Sequence, residues 1–127
     1  MQRANKAVHE KAMIIEDEKD LSYLLAIVLK KNNVTPSCAY SIREASQSIK
    51  NINPSIIFLD NHLPDGMGSD FIAKARAANP SAKIIMMTAH DAPGDIEDAY
   101  HRGADYFIHK PFTSSTIEQT LGLVHRS

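Results

Sequence analysis

The sequence predicts an α/β fold, a parallel five-stranded sheet covered by helices on both faces, on three observations. Four short apolar runs lack polar alternation, as strands buried on both faces do. They are Ala12-Met13-Ile14-Ile15, Ile56-Ile57-Phe58-Leu59, Ile84-Ile85-Met86-Met87 and Tyr106-Phe107-Ile108-His109. Stretches of helical period separate them, and strands alternating with helices across short connections make a parallel sheet. Each run also ends on a polar group: Glu16-Asp17, Asp60, Thr88 and Lys110 respectively. In an open parallel sheet the carboxyl ends of the strands line one crevice, where ligands bind. Three carboxylates, a hydroxyl and an ammonium are therefore expected along one edge, a set suited to a divalent metal and a phosphoryl group.

The elements follow in order. After the first strand, Asp20 to Asn33 places Leu21, Leu24, Leu25 and Val28 on one helical stripe. A short second strand fits Val34 to Ala39, with Cys38 expected as a small buried residue. Ser41-Ile42-Arg43-Glu44 has capping-box spacing, with Ala45 and Ile49 on the face of Ile42. Phe71, Ile72 and Ala75 mark a third helix ending near Asn79-Pro80, because the residue before proline avoids the helical region. Ile96, Ala99 and Tyr100 mark a fourth, closed by Gly103. Ile117, Leu121 and Val124 mark a fifth, starting around Thr113 to Ser115. Right-handed crossovers favour the flavodoxin-like strand order 2-1-3-4-5, which sets the first and third strands side by side and makes neighbours of Glu16, Asp17 and Asp60.

Bulk composition narrows the functional classes. A chain of 127 residues makes one domain able to bury roughly two-thirds of its unfolded surface. A net charge of -1 argues against a nucleic-acid-binding domain, so no nucleic-acid contact is expected. No run approaches the length of a membrane span, and the first residues lack the apolar core of a secretory signal. With Cys38 the single cysteine, no internal disulfide forms, and a cytoplasmic setting is expected.

The residues at the strand ends resemble those of a receiver domain of two-component response regulators, over about Lys11 to Val124. The matching positions are Glu16-Asp17-Glu18, then Asp60 with Pro64 and Gly68, then Thr88-Ala89, then Lys110-Pro111-Phe112. The expected division is an N-terminal extension over 1–10 and the receiver over 11–127. The resemblance implies a signalling domain rather than an enzyme, one that assists its own phosphorylation and dephosphorylation. Asp60 is then the phosphoacceptor, its carboxylate forming an acyl phosphate. Mg2+ (or Mn2+) would be held by Asp17, Asp60 and the backbone carbonyl of His62, with Glu16 acting through water. Lys110 would supply a positive charge and Thr88 a hydrogen bond to the phosphoryl oxygens, in a reaction driven by positioning and charge. A cis bond between Lys110 and Pro111 is also implied.

The match has departures. Glu16 stands where the family most often has aspartate, an added methylene that a water-mediated ligand should tolerate. The resemblance implies that His62 and His90 occupy positions flanking the phosphoryl group, where they either tune its lifetime or are solvated rim histidines. By the same resemblance Phe107 matches the switch aromatic, expected to turn inward behind Thr88. It lacks a hydroxyl, so an output contact needing one would be absent or supplied by Tyr106. The loop 90–94 is a candidate hinge, and the region from Asp95 to Val124 the surface that changes. His9, His101, His109 and His125 have no metal-ligand spacing. The implied partners are a histidine kinase or histidine phosphotransfer protein, docking on the first helix and the loop after the fifth strand, with Ser22, Ala26 and Phe112 as candidate contacts. An unidentified output protein would receive the signal, and the chain would be a monomer or a weak phosphorylation-dependent dimer.

No DNA-binding, cyclase, phosphodiesterase or methylesterase pattern is present, so either a stand-alone receiver or one excised from a larger regulator fits. Three other readings compete. A degenerate receiver would act only as a binding module. A haloacid-dehalogenase-type phosphatase would need a second carboxylate where His62 stands. A flavodoxin-like cofactor binder would need a phosphate-cradling loop where Glu16-Asp17-Glu18 lies.

Overall fold

The computed structural model describes residues 10–89 and 93–126. Five strands form one parallel sheet: β1 (Glu10–Ile15), β2 (Val34–Ala39), β3 (Ile56–Asp60), β6 (Lys83–Thr88) and β7 (Tyr106–His109). Two short strands absent from the sequence reading, β4 (His62–Leu63) and β5 (Gly66–Met67), pair antiparallel as a hairpin between them. The helices are α1 (Lys19–Lys31), α2 (Ile42–Ile52), α3 (Gly68–Ala78), α4 (Pro93–His101) and α5 (Ser114–Arg126). The spatial order of the main sheet is β2-β1-β3-β6-β7, the expected 2-1-3-4-5 once the hairpin strands are set aside.

Alternation along each strand divides the core in two. Met13, Ile15, Ile57, Leu59, Ile84 and Met86 pack with Ala45, Ile49, Phe71, Ile72 and Ala99 from α2, α3 and α4. Ala12, Ile14, Ile56, Phe58, Ile85 and Met87 pack with Leu25, Val28, Leu29, Ile117 and Leu121 from α1 and α5. The unbroken apolar runs are thus explained: both faces of each central strand are dry.

Local signals act where the spacing places them. Ser41 Oγ accepts the Glu44 N–H at 3.1 Å, and Glu44 reaches back to the N–H of Tyr40 at 2.8 Å. Gly103, at φ +114, closes α4: its N–H donates to Tyr100 O and that of Ala104 to Ala99 O, each at 3.0 Å. That is the Schellman pattern, which favours a residue without a Cβ.

One expectation about burial fails. Cys38 is exposed, because β2 is an edge strand paired only with β1. Its Sγ accepts a hydrogen bond from Ser22 Oγ at 3.2 Å. No helix among the described residues is long and apolar enough to cross a membrane.

Candidate phosphoacceptor and metal site

Strand register assembles the site. Ile15 of β1 pairs with Leu59 of β3, so Glu16 lies beside Asp60, the last residue of β3. Asp60 pairs with Met87, and Thr88 with His109, which delivers Lys110 at the next position. Ligand oxygens of Glu16, Asp17 and Asp60 all lie within 4.8 Å of one another. The Lys110 ammonium stands 2.7 Å from Glu16 Oε1, 3.0 Å from Asp60 Oδ1 and 3.6 Å from Glu18 Oε1. The Lys110–Pro111 bond is cis.

Burial sets the electrostatics. Glu16 is 0% exposed and Asp60 2%, whereas Asp17 is exposed. Desolvation pushes Glu16 above the ordinary carboxylate value; Lys110 and the Glu18 N–H (3.0 Å from Oε2) pull against it, and Asp60 adds repulsion. Desolvation likewise raises Asp60, opposed by Lys110 and the His62 N–H and reinforced by Asp17. Burial depresses the Lys110 ammonium, but Glu16 and Asp60 outweigh it and hold the group above the ordinary lysine value.

The donor set fits a hard divalent cation. All candidate ligands are oxygens, as magnesium prefers. The charge balance fits too, since three clustered carboxylates face one ammonium. Glu16 Oε1 is buried 2.7 Å from the Lys110 ammonium, and a carboxylate oxygen paired once keeps a lone pair to accept a further partner. A recess of about 280 Å³ opens over the cluster, lined by Asp17, Glu18, Asp60, His62, Ala89 and Lys110.

The predicted residues do not all share this recess. Thr88 is 1% exposed and lines a separate cavity of about 100 Å³ with Asn61, Ser69, Asp95, Asp98 and Phe107. Phe107 is half-buried, its ring 5.4 Å from that of His109. Tyr106 points to the other face, where its hydroxyl donates to Leu123 O on α5 at 3.2 Å. His90 and the first part of the 90–94 hinge lie outside the described residues.

Ser22 is corrected as a docking contact: at 1% exposure it faces the sheet rather than a partner. Phe112 is also buried, at 8% exposure, and Ala26 is half-buried. Leu21, Leu24, Pro111 and the rim of Phe112 line a groove of about 520 Å³ that reaches Lys110. Glu18, quoted in the acidic triplet but given no role there, orients Glu16 through its backbone N–H and borders the recess with its side chain. The acidic triplet was its only sequence signal.

Comparison with known proteins agrees with this architecture. Residues 12–122 match the response regulator receiver domain family. The chemotaxis protein CheY of Listeria monocytogenes is 30% identical over 112 residues, covering 87% of this chain and 94% of that protein. The transcriptional regulatory protein PmrA of Pectobacterium parmentieri is 30% identical over 108 residues, 85% of this chain, which spans only 49% of PmrA. A two-component response regulator from Clostridium difficile superposes with a TM-score of 0.87 at 26% identity, covering 92% of this chain and 96% of that one. The beryllofluoride-activated NtrC4 receiver domain dimer superposes at 0.83 with 28% identity, covering 89% and 93%. With this strand order, acidic cluster and lysine in place, the chain belongs to the response regulator receiver family.

Proposed function

We propose that this receiver accepts a phosphoryl group on Asp60 from a histidine kinase or histidine phosphotransfer protein. The observation that carries the reading is the Lys110 ammonium 3.0 Å from a buried Asp60 carboxylate, with Glu16 and Asp17 within metal-binding reach. Asp60 Oδ attacks phosphorus, the P–N bond to the donor histidine breaks, and its electron pair returns to the imidazole, leaving an acyl phosphate. Asp17, Asp60 and the His62 carbonyl would hold Mg2+ (or Mn2+), with Glu16 contributing through water. The cation supplies charge neutralisation for two anions brought together.

The chain's own residues do the rest. Lys110 leaves its ion pair with Asp60 to meet a phosphoryl oxygen, and Thr88 donates to another. Thr88 and Phe107 share one cavity wall, so movement of the hydroxyl toward the phosphoryl group frees space for the ring to turn inward. That rearrangement alters the surface of α4, β7 and α5, which an output protein or a second receiver reads. The activated NtrC4 receiver dimer supports a phosphorylation-dependent dimer as one outcome. The groove beside Lys110, walled by Leu21, Leu24 and Pro111, receives the phosphodonor. His62 borders the recess, where it screens or orders water and so tunes phosphoryl lifetime together with His90.

The test is intact mass after incubation with a small acyl phosphate and Mg2+. Wild type is expected to gain one phosphoryl group, Asp60→Asn none, and chelator to abolish the gain. No gain by wild type would leave a phosphorylation-independent binding module, and equal gain in both would remove Asp60 from the role.

A further inference from the structure

Asp65 takes no part in the chemistry above, yet its carboxylate leaves its own hairpin to bind another element. Oδ1 accepts the Ile42 N–H and Oδ2 the Arg43 N–H, each at 2.9 Å. These are N–H groups of the first turn of α2, which a helix cannot satisfy internally. Ser41, the helix's own cap, is committed to Glu44. Two backbone hydrogen bonds hold the exposed Asp65 carboxyl below its ordinary value, so it stays charged at the positive end of α2. A second contact lies beside it: at Gly66 (φ +155) a Cβ would come within 3.0 Å of Ile42 Cδ1. The tip of the β4–β5 hairpin thus rests on the first turn of α2.

The base of the hairpin is fastened independently. The Asn61 N–H donates to Met87 O at 2.9 Å, and Asn61 O accepts the Gly68 N–H at 2.8 Å. Asn61 Oδ1 also accepts the Ser69 N–H at 3.0 Å. His62 lies between base and tip, paired with Met67. Strands of two residues have little stability of their own, so the tip anchor adds a second constraint on the backbone between base and tip.

We propose that Asp65 is a positioning residue for the metal site: by fastening the hairpin tip to α2 it sets where the His62 carbonyl stands relative to Asp60 and Asp17. This rests on the assignment of that carbonyl as a metal ligand. Asp65 touches neither cation nor phosphoryl group and acts through the backbone. Magnesium demands near-ideal octahedral geometry, so a ligand held loosely lowers affinity even when every ligand remains.

The experiment is a titration with MgCl2, followed by backbone amide NMR shifts, on wild type, Asp65→Ala, Asp65→Asn and Ser41→Ala. Loss of an outer partner of a metal ligand weakens affinity by roughly tenfold, which is expected for Asp65→Ala. Asp65→Asn, keeping one acceptor, should fall between it and wild type. Ser41→Ala removes the other cap of α2 without touching the hairpin, and should keep wild-type affinity while lowering the thermal midpoint. Wild-type affinity in Asp65→Ala would overturn the proposal, as would equal weakening by Ser41→Ala, which would trace the effect to helix stability. No saturable shift in wild type would overturn the metal reading itself, and the proposal with it.

Discussion

Lys110 faces two buried carboxylates, Glu16 and Asp60, and this imbalance governs the site at the residue scale. Both acids titrate above the 4.5 and 3.8 of free Glu and Asp, chiefly because burial disfavours their charged forms. Between those values and the raised ones, the folded protein binds more protons than the unfolded chain, so their contribution to stability falls as pH rises through that window. Lys110 acts in a different range: its contribution is intact below 10.5 and is lost as pH rises from there through its raised value. Replacing Asp60 by Asn removes a buried charge while leaving Glu16 to pair with Lys110. The metal-free variant is expected to be more stable than wild type at neutral pH by about 1 kcal/mol. The difference should shrink as pH falls toward about 4. Thermal unfolding in chelator across that range checks this, and a variant less stable than wild type at neutral pH would show the Lys110–Asp60 pair to be net stabilising.

The β3–α3 junction illustrates the element scale. The chain leaves Asp60, makes the hairpin and returns so closely that a Cβ at Gly68 would stand 2.1 Å from Asp60 O, a backbone atom that cannot move without moving the site. Gly68→Ala is therefore expected to cost about 2 kcal/mol, the range of an overpacked interior. Gly94, in the first turn of α4, has nothing within 4 Å of the same position. Gly94→Ala should be stabilising by about 0.5 kcal/mol through the unfolded chain. Urea midpoints measure both, and opposite signs are the expected outcome. Gly68 was legible as part of a pattern, but its reason was not: the carbonyl it approaches is eight residues away along the chain.

Across the whole molecule the two edges of the sheet have different duties. The carboxyl edge holds the unsatisfied charges, whereas the amino edge is clasped by Arg76 from α3. Its guanidinium donates to Pro80 O, Ala82 O and Gly103 O, and pairs with Asp105 at 2.9 Å. Asp105 in turn accepts the Ile84 N–H at 2.8 Å, tying α3, β6 and the approach to β7 together. Arg76→Met keeps much of the stem and removes the donors, and should cost about 1 kcal/mol, because several part-buried acceptors lose their partner at once. Phosphoryl uptake should match wild type, since the clasp lies at the opposite end of the strands. Denaturation and intact mass on the same sample separate the two effects.

The sequence by itself determined the five main strands, the helices between them and which polar residues stand at the strand ends, because these rest on local signals: unbroken apolar runs, helical stripes, a capping box and the polar residue that closes each run. Crossover handedness limited the strand orders, and the common five-strand solution among them is the one observed. Only the tertiary structure decided what depends on distant neighbours. Cys38 is exposed because its strand has no second partner, and Ser22 is buried because α1 turns that face inward. The β4–β5 hairpin is too short to leave a periodic trace. Asp65 caps a helix that begins 23 residues before it. Thr88 proved to line a cavity with Phe107, apart from the open recess over Asp60. For Asp65 and Thr88 the deciding contact joins residues far apart in the chain, and periodicity carries no record of such pairs.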